Sequence, residues 1–179
     1  RRGITWLITP ATTPARFASA LASGTDVAVL DLEDSVPHRQ KEQARDTVLN
    51  FLTETEPVVG GEDRAVLGVR VNALATLHGL RDLTAIAESG VCPAVLLIPK
   101  VETPRDIDLV AELFEASGNA GESHPEVWAL IETPQAIQQL PQITSSPALT
   151  GVVFGAADYA AAAGCRRTAS ALRYPRAAL

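Results

Sequence analysis

Val27–Val36, VAVLDLEDSV, is the stretch whose reading decides the fold. Four apolar residues, β-branched at alternate positions, run straight into three carboxylates, Asp31, Glu33 and Asp34. A short apolar run of this kind reads as a buried strand. Three acids at its tip repel one another unless a cation, a basic side chain or a proton lies among them. Either the strand ends in a charged, water-poor pocket, or the acids cap the next helix and face water.

The same grammar recurs along the chain. Apolar runs at Ile4–Ile8, Val27–Leu30, Val66–Val71, Ala94–Ile98, Val127–Ile131 and Val152–Phe154 are each followed by a polar tip and a helical segment. That pitch is the signature of serial βα units on a parallel sheet. Thr13-Pro14, Thr103-Pro104 and Thr133-Pro134 put a hydroxyl at the N-cap and a proline at the first helical position. Thr103 and Asp106 have capping-box spacing. Gly24, Gly90 and Gly118 stand where a left-handed residue would close a helix. Pro37 opens the second helix, with Ala44, Val48, Leu49 and Leu52 toward the sheet, while Ile107, Val110, Leu113 and Phe114 form the core face of the fourth. Loops are expected at Glu54–Asp63 and Gly118–Pro125.

Serial βα units end as an open doubly wound sheet or as part of an eight-stranded barrel. An open sheet gathers its chemistry at one switch point, whereas a barrel collects it from many strand ends. Here the tips carry Thr9, then Asp31/Glu33/Asp34, Arg70/Asn72, Lys100/Glu102, Glu132 and Asp158. The expectation is therefore α/β, a (β/α)8 TIM barrel with about six βα units in residues 1–179, forming a single, incomplete domain.

Composition agrees with one globular domain: 179 residues, 46% hydrophobic and 20% charged, with a net charge of −6. The charge argues against a nucleic-acid partner. No run reaches the roughly 18 apolar residues of a membrane span, and no secretory leader opens the chain. Cys92 and Cys165 lack both the number for a disulfide framework and metal-ligand spacing, so a reducing cytoplasm is expected. The chain starts at Arg1 and contains no Met, the expectation for part of a longer product.

Glu132 and Asp158, ending adjacent strands, are candidate oxygen ligands for a hard divalent cation such as Mg²⁺. Arg70, permanently charged and fork-shaped, suits a carboxylate or a developing enolate oxygen on the same rim. A metal beside a guanidinium is what carbon–carbon cleavage through an enolate requires. On spacing alone, acids capping helices in water explain Glu132 and Asp158 equally well. Lys100 and Glu102 read as a surface pair, Arg166 and Arg167 as a solvent-facing one, and His38, His78 and His124 as isolated. No G-x-S-x-G, H-E-x-x-H or G-x-G-x-x-G is present.

The ordered fragments TPARFASALASGTDVAVLDLEDSV, GVRVNAL, LLIPKVE, ALIETP and VVFGAADY resemble the citrate lyase β-subunit-like (CitE-like) branch of the HpcH/HpaI aldolase and citrate lyase superfamily. The resemblance implies a (β/α)8 barrel with Mg²⁺ on Glu132 and Asp158, and substrate held by Arg70 and bordered by Glu132. Glu33 and Asp34 match acids that act beside the metal through water, and with Arg70 they make up the implied catalytic set. The implied reaction cleaves or forms a β-hydroxyacyl thioester of the citryl-, malyl- or citramalyl-CoA type, giving an acyl thioester and a keto acid. The partner class is thus an acyl-CoA or acyl-carrier thioester, with no membrane or nucleic acid, in a homo-oligomer (trimer or hexamer). The pyruvate-aldolase branch carries a histidine where this chain has Asp34, which points to the thioester lyase branch. A class II 2-keto acid aldolase and a non-catalytic barrel subunit remain the alternatives. After Gly164 the chain reads CRRTASALRYPRAAL, where the family continues to further strands and a closing C-terminal segment.

Overall fold

The computed structural model describes residues 5–55, 65–117 and 124–179. Six strands follow one another in chain order, each parallel to the last: β1 (Trp6–Pro10), β2 (Val27–Asp31), β3 (Val66–Arg70), β4 (Val95–Ile98), β5 (Glu126–Ile131) and β6 (Leu149–Phe154). The intervening helices are α1 (Phe17–Leu21), α2 (Lys41–Glu54), α3 (Leu77–Glu88), α4 (Pro104–Ala116), α5 (Pro134–Gln138) and α6 (Leu140–Ile143), and α7 (Ala156–Ala162) and α8 (Arg173–Ala178) follow β6. This is the expected βα grammar. The first strand starts later than its apolar run and the last starts earlier, because pairing with a neighbour, rather than apolarity alone, sets a strand's bounds. Ile4, Gly118 and most of the two expected loops lie outside the described residues.

The sheet curls as a barrel wall. Trp6 on β1 and Trp128 on β5 meet edge to face with ring centroids 4.9 Å apart. Four strand spacings would hold them about 19 Å apart in a flat sheet, so the strands wrap around a common interior. Strand alternation assigns the two faces. Val27, Val29, Val66 and Val95 line the interior with the tryptophans. Ala28, Leu30, Val69, Leu96, Ile98, Ala129 and Ile131 face outward into the larger core under the helices, where they meet Val48, Leu83, Ile86, Ile107 and Val110. Among the described residues β1 and β6 are the sheet's two edges, so the wall is an open arc of barrel.

Helix ends follow the caps with one exception. Thr133 Oγ1 accepts from Ala136 N at 3.1 Å. The Asp106 carboxylate accepts from Thr103 N at 2.8 Å and from Glu102 N at 3.0 Å. Thr13, by contrast, turns its hydroxyl back to donate to the Pro10 carbonyl at 2.9 Å and closes a turn instead. Gly24 and Gly90 take the positive φ their positions demand, 78° and 74°.

Candidate active site

The inner parity of the strands carries the polar rim. Counting by twos from Val27 and Val29 gives Asp31 and then Glu33; from Val66 and Gly68 it gives Arg70; from Trp128 and Leu130 it gives Glu132. Asp31 and Arg70 stand opposite each other in the β2–β3 register. Interior-facing residues at the C-terminal ends of such strands form the mouth where this architecture keeps its chemistry.

Arg70 is held along one edge. Its Nε donates to Asp31 Oδ1 at 2.7 Å and its Nη2 to Asp31 Oδ2 at 2.8 Å. Asp31, fully buried, is braced in turn by Glu33 N at 2.8 Å, Ser35 N at 3.2 Å and the Ser35 hydroxyl. Burial alone would raise the Asp31 carboxyl, yet the Arg70 guanidinium holds it below the ordinary range and is itself held firmly charged. The other edge of the guanidinium stays open to the rim. Nη1 lies 3.2 Å from Glu33 Oε2 and 3.6 Å from Asp34 Oδ2. Asp34 is largely exposed at the mouth, whereas Glu33 is buried.

The second half of the rim gathers around Lys100. Its Nζ donates to Glu33 Oε1 at 2.6 Å and lies 3.5 Å from Asp158 Oδ2 and 3.9 Å from Glu132 Oε1. Its backbone N–H also donates to Glu132 Oε1 at 2.9 Å. Lys100 is the one non-glycine residue with positive φ, 54°, among the described residues. Such a conformation is costly for a side-chain-bearing residue and persists where the surroundings over-determine it. Here a single residue holds two carboxylates, Glu132 through its backbone N–H and Glu33 through its side chain. Lys100 is therefore not half of a surface pair with Glu102: its side chain turns inward, while Glu102 spends its N–H on Asp106.

Glu132 is only 2% exposed, and burial pushes its carboxyl up to about 7 against the pull of Lys100. Glu33 is also raised, first by burial, with Lys100 and Arg70 opposing. Glu33 Oε2 is buried without a hydrogen bond. Gly155 makes room for Glu132: a Cβ there would lie 2.6 Å from both Glu132 Cβ and Oε2. Asp158, expected to end the sixth strand, instead lies beyond the end of β6 at Phe154, in the first turn of α7.

The donor set suits a hard divalent cation. Glu132 and Asp158 offer carboxylate oxygens, Glu33 adds a buried oxygen that is ion-paired to Arg70 but not hydrogen-bonded, and an ammonium already sits among the three acids. Mg²⁺ commonly takes one or two carboxylates and fills its remaining positions with water and substrate oxygens. Among the described residues no preformed cluster of three or more ligating side chains is present.

The sequence profile of the HpcH/HpaI aldolase/citrate lyase family matches residues 5–176. The chain belongs to that family. It is 36% identical over 168 residues to an L-malyl-CoA/β-methylmalyl-CoA lyase of Cereibacter sphaeroides, covering 90% of this chain and 51% of that protein. It is 33% identical over 159 residues to a citrate lyase subunit β-like protein of Mycobacterium tuberculosis, covering 89% and 50%. The crystal structure of protein CitE from M. tuberculosis in complex with magnesium, acetoacetate and coenzyme A superposes with a TM-score of 0.77 at 31% identity, covering 99% of this chain and 60% of that one. The chain thus spans about half the length of the curated relatives it matches.

In this HpcH/HpaI chain the structure brings Arg70, Glu33, Asp34, Glu132 and Asp158 to one mouth, and it adds Asp31 and Lys100. Asp31 has a visible signal, the period-two count from Val27. Lys100 has its place at the tip of the fourth apolar run, but nothing in the one-dimensional pattern marks its pairing with these acids. His38 and His78 are not isolated: their Nε2 atoms lie 3.2 Å apart across the starts of the second and third helical segments. They stand beside a buried network in which Asp82 accepts from Arg45 Nε at 2.7 Å, Asn72 N at 3.0 Å and Asn72 Nδ2 at 2.6 Å. His124, Arg166 and Arg167 are exposed.

Proposed function

We propose that this chain carries the metal-binding and substrate-orienting part of a Mg²⁺-dependent carbon–carbon lyase that cleaves or forms a β-hydroxyacyl-CoA thioester of the malyl, citramalyl or citryl type. The convergence of Glu132, Asp158 and Glu33 beside a guanidinium fixed along one edge carries the reading. A relative named as an L-malyl-CoA/β-methylmalyl-CoA lyase and a CitE structure in complex with magnesium, acetoacetate and coenzyme A support it.

In the cleavage direction the bond between the thioester's α-carbon and the carbinol carbon breaks. Its electron pair passes to the thioester enolate, the carbinol oxygen gives its proton to water as the keto acid forms, and the enolate takes a proton from water at the α-carbon to become the acyl thioester. Glu132 and Asp158 would hold the Mg²⁺, which supplies Lewis-acid polarisation of the keto acid's oxygens. Arg70 presents Nη1 to the substrate's carboxylate while Asp31 fixes the plane of the guanidinium, so little reorganisation is needed as charge develops. Glu33 and Asp34 keep that edge and the neighbouring water polarised.

No helix among the described residues is long and apolar enough to cross a membrane, and the two free cysteines stay unpaired. A cytoplasmic homo-oligomer belongs to the same proposal, and light scattering after size exclusion tests the assembly. The activity is tested by keto-acid release from malyl-, citramalyl- and citryl-CoA, with Mg²⁺ or EDTA, in wild type and Asp158→Ala. Turnover that needs Mg²⁺ and falls at least a hundredfold in the variant is the expected result. Turnover on a free 2-keto acid and aldehyde alone would favour the aldolase alternative, and none on any substrate the non-catalytic subunit.

A further inference from the structure

The rim already holds a cation of its own. Glu132 and Asp158, the two acids proposed to carry Mg²⁺, both lie within ion-pair distance of Lys100 Nζ, at 3.9 and 3.5 Å. A Mg²⁺ bound to both oxygens at about 2.0–2.1 Å would sit within a few ångströms of that ammonium. Two cations so close in a partly buried mouth repel strongly, so the ammonium and the metal compete for one place.

The geometry also shows what can yield. The Lys100 backbone is anchored, with its N–H on Glu132 and its φ at 54°, whereas its side chain is 42% exposed on a flexible four-carbon stem. The stem can turn out to solvent without moving the strand end. We propose that Lys100 is the resident counter-ion of the metal-free rim and that Mg²⁺ must displace its ammonium to bind. The inference rests on the metal reading above and goes beyond it by naming the group that opposes the metal.

The arrangement has a use. Without a cation, Glu33, Glu132 and Asp158 would repel one another and the mouth would splay. With the ammonium in place, Glu33 stays 3.2 Å from Arg70 Nη1, so the substrate arm keeps its geometry. Loading the metal frees Lys100 from Glu33 and leaves a mobile positive charge at the mouth. The opposing possibility is that Lys100 remains on Glu33 as a permanent partner of the loaded site.

The two differ in the sign of one measurement. Mg²⁺ is titrated calorimetrically, at low ionic strength, into the full chain as wild type, Lys100→Met, Lys100→Gln and Asp158→Asn. Displacement predicts that both neutral variants bind Mg²⁺ about tenfold tighter or more, since the metal no longer has to break a charge-assisted hydrogen bond. It also predicts that the Mg²⁺-induced rise in melting temperature is larger in them than in wild type, a readout that serves even where a variant is less stable without metal. Unchanged or weaker binding in both Lys100 variants, or an equal or smaller melting shift, would overturn the inference while the metal reading stood. Wild-type binding by Asp158→Asn would instead bring down the metal reading itself, and the inference with it.

Discussion

Arg70 shows how a single side chain is given both a structural and a chemical edge. Asp31 occupies Nε and Nη2, so truncating Arg70 leaves a fully buried carboxylate without its partner. Arg70→Met is expected to cost about 3 kcal/mol in urea denaturation, and adding Asp31→Leu should recover much of it, because removing both charges removes the desolvation problem. Gly155→Ala tests the neighbouring acid. Its Cβ would overlap Glu132, so Mg²⁺ affinity should fall about tenfold or more while the circular dichroism spectrum is retained. Glu132 also sets a pH trend. Its carboxyl sits at about 7 in the fold against an ordinary 4.5, so the folded state binds the proton more tightly than the unfolded chain. The resulting stability is fully present below about 4.5 and is lost as pH rises through about 7. In EDTA the urea midpoint should fall across that window, and Glu132→Gln should flatten the fall. Of these residues, Arg70 and Glu132 lie at strand ends as the sequence pattern expects, Asp158 lies in α7 rather than at a strand end, and Asp31 was legible as one of three acids at the β2 tip but not as the clamp on Arg70. Lys100 was legible as a strand-tip residue but not as the partner of the acids, because that role depends on a left-handed backbone angle and on carboxylates that arrive from other elements.

At the scale of elements, Thr13-Pro14 closes a turn ahead of α1. The caps at Thr103-Pro104 and Thr133-Pro134, and the glycines Gly24 and Gly90, lie where the sequence pattern puts them, since a cap is local chemistry between residues three or four apart. The anchors between elements were invisible for the opposite reason. Asp82 reads as an ordinary acid on the surface of a helix, yet it is fully buried and ties α3 to Arg45 on α2 and to Asn72 at the end of β3. Lys41 likewise turns under the β2–α2 loop and donates to the Leu32 and Glu33 carbonyls at 2.8 and 2.6 Å. These two residues hold from beneath the loops that carry the rim. Asp82→Ala strands the Arg45 guanidinium and the Asn72 N–H, and is expected to cost about 3 kcal/mol in chemical denaturation, with Asp82→Asn costing less. Such pairings join positions 37 and 10 residues apart, and nothing in helical or strand periodicity marks them.

For the whole molecule, the repeated βα grammar gave the parallel sheet, and the spread of charged tips over nearly every strand gave the barrel; both follow from patterns that recur along the chain. The curl itself shows only once Trp6 meets Trp128 across the interior. A metal bound to the native rim and not to the unfolded chain should raise the melting temperature with Mg²⁺ concentration, and EDTA should reverse the rise. The strand order has a kinetic consequence. Every strand pairs with the one synthesised just before it, β1 with β2 through to β5 with β6, so the sheet can grow in one direction as the chain emerges from the ribosome. Arg70 and Asp31 lock early, on β2 and β3. Glu132 follows β5 and Asp158 lies in α7 after β6, so the acid cluster is completed only after all six of these strands have emerged. Stabilisation by the metal is then absent from the folding barrier, and in stopped-flow refolding Mg²⁺ should slow unfolding and leave the folding rate nearly unchanged.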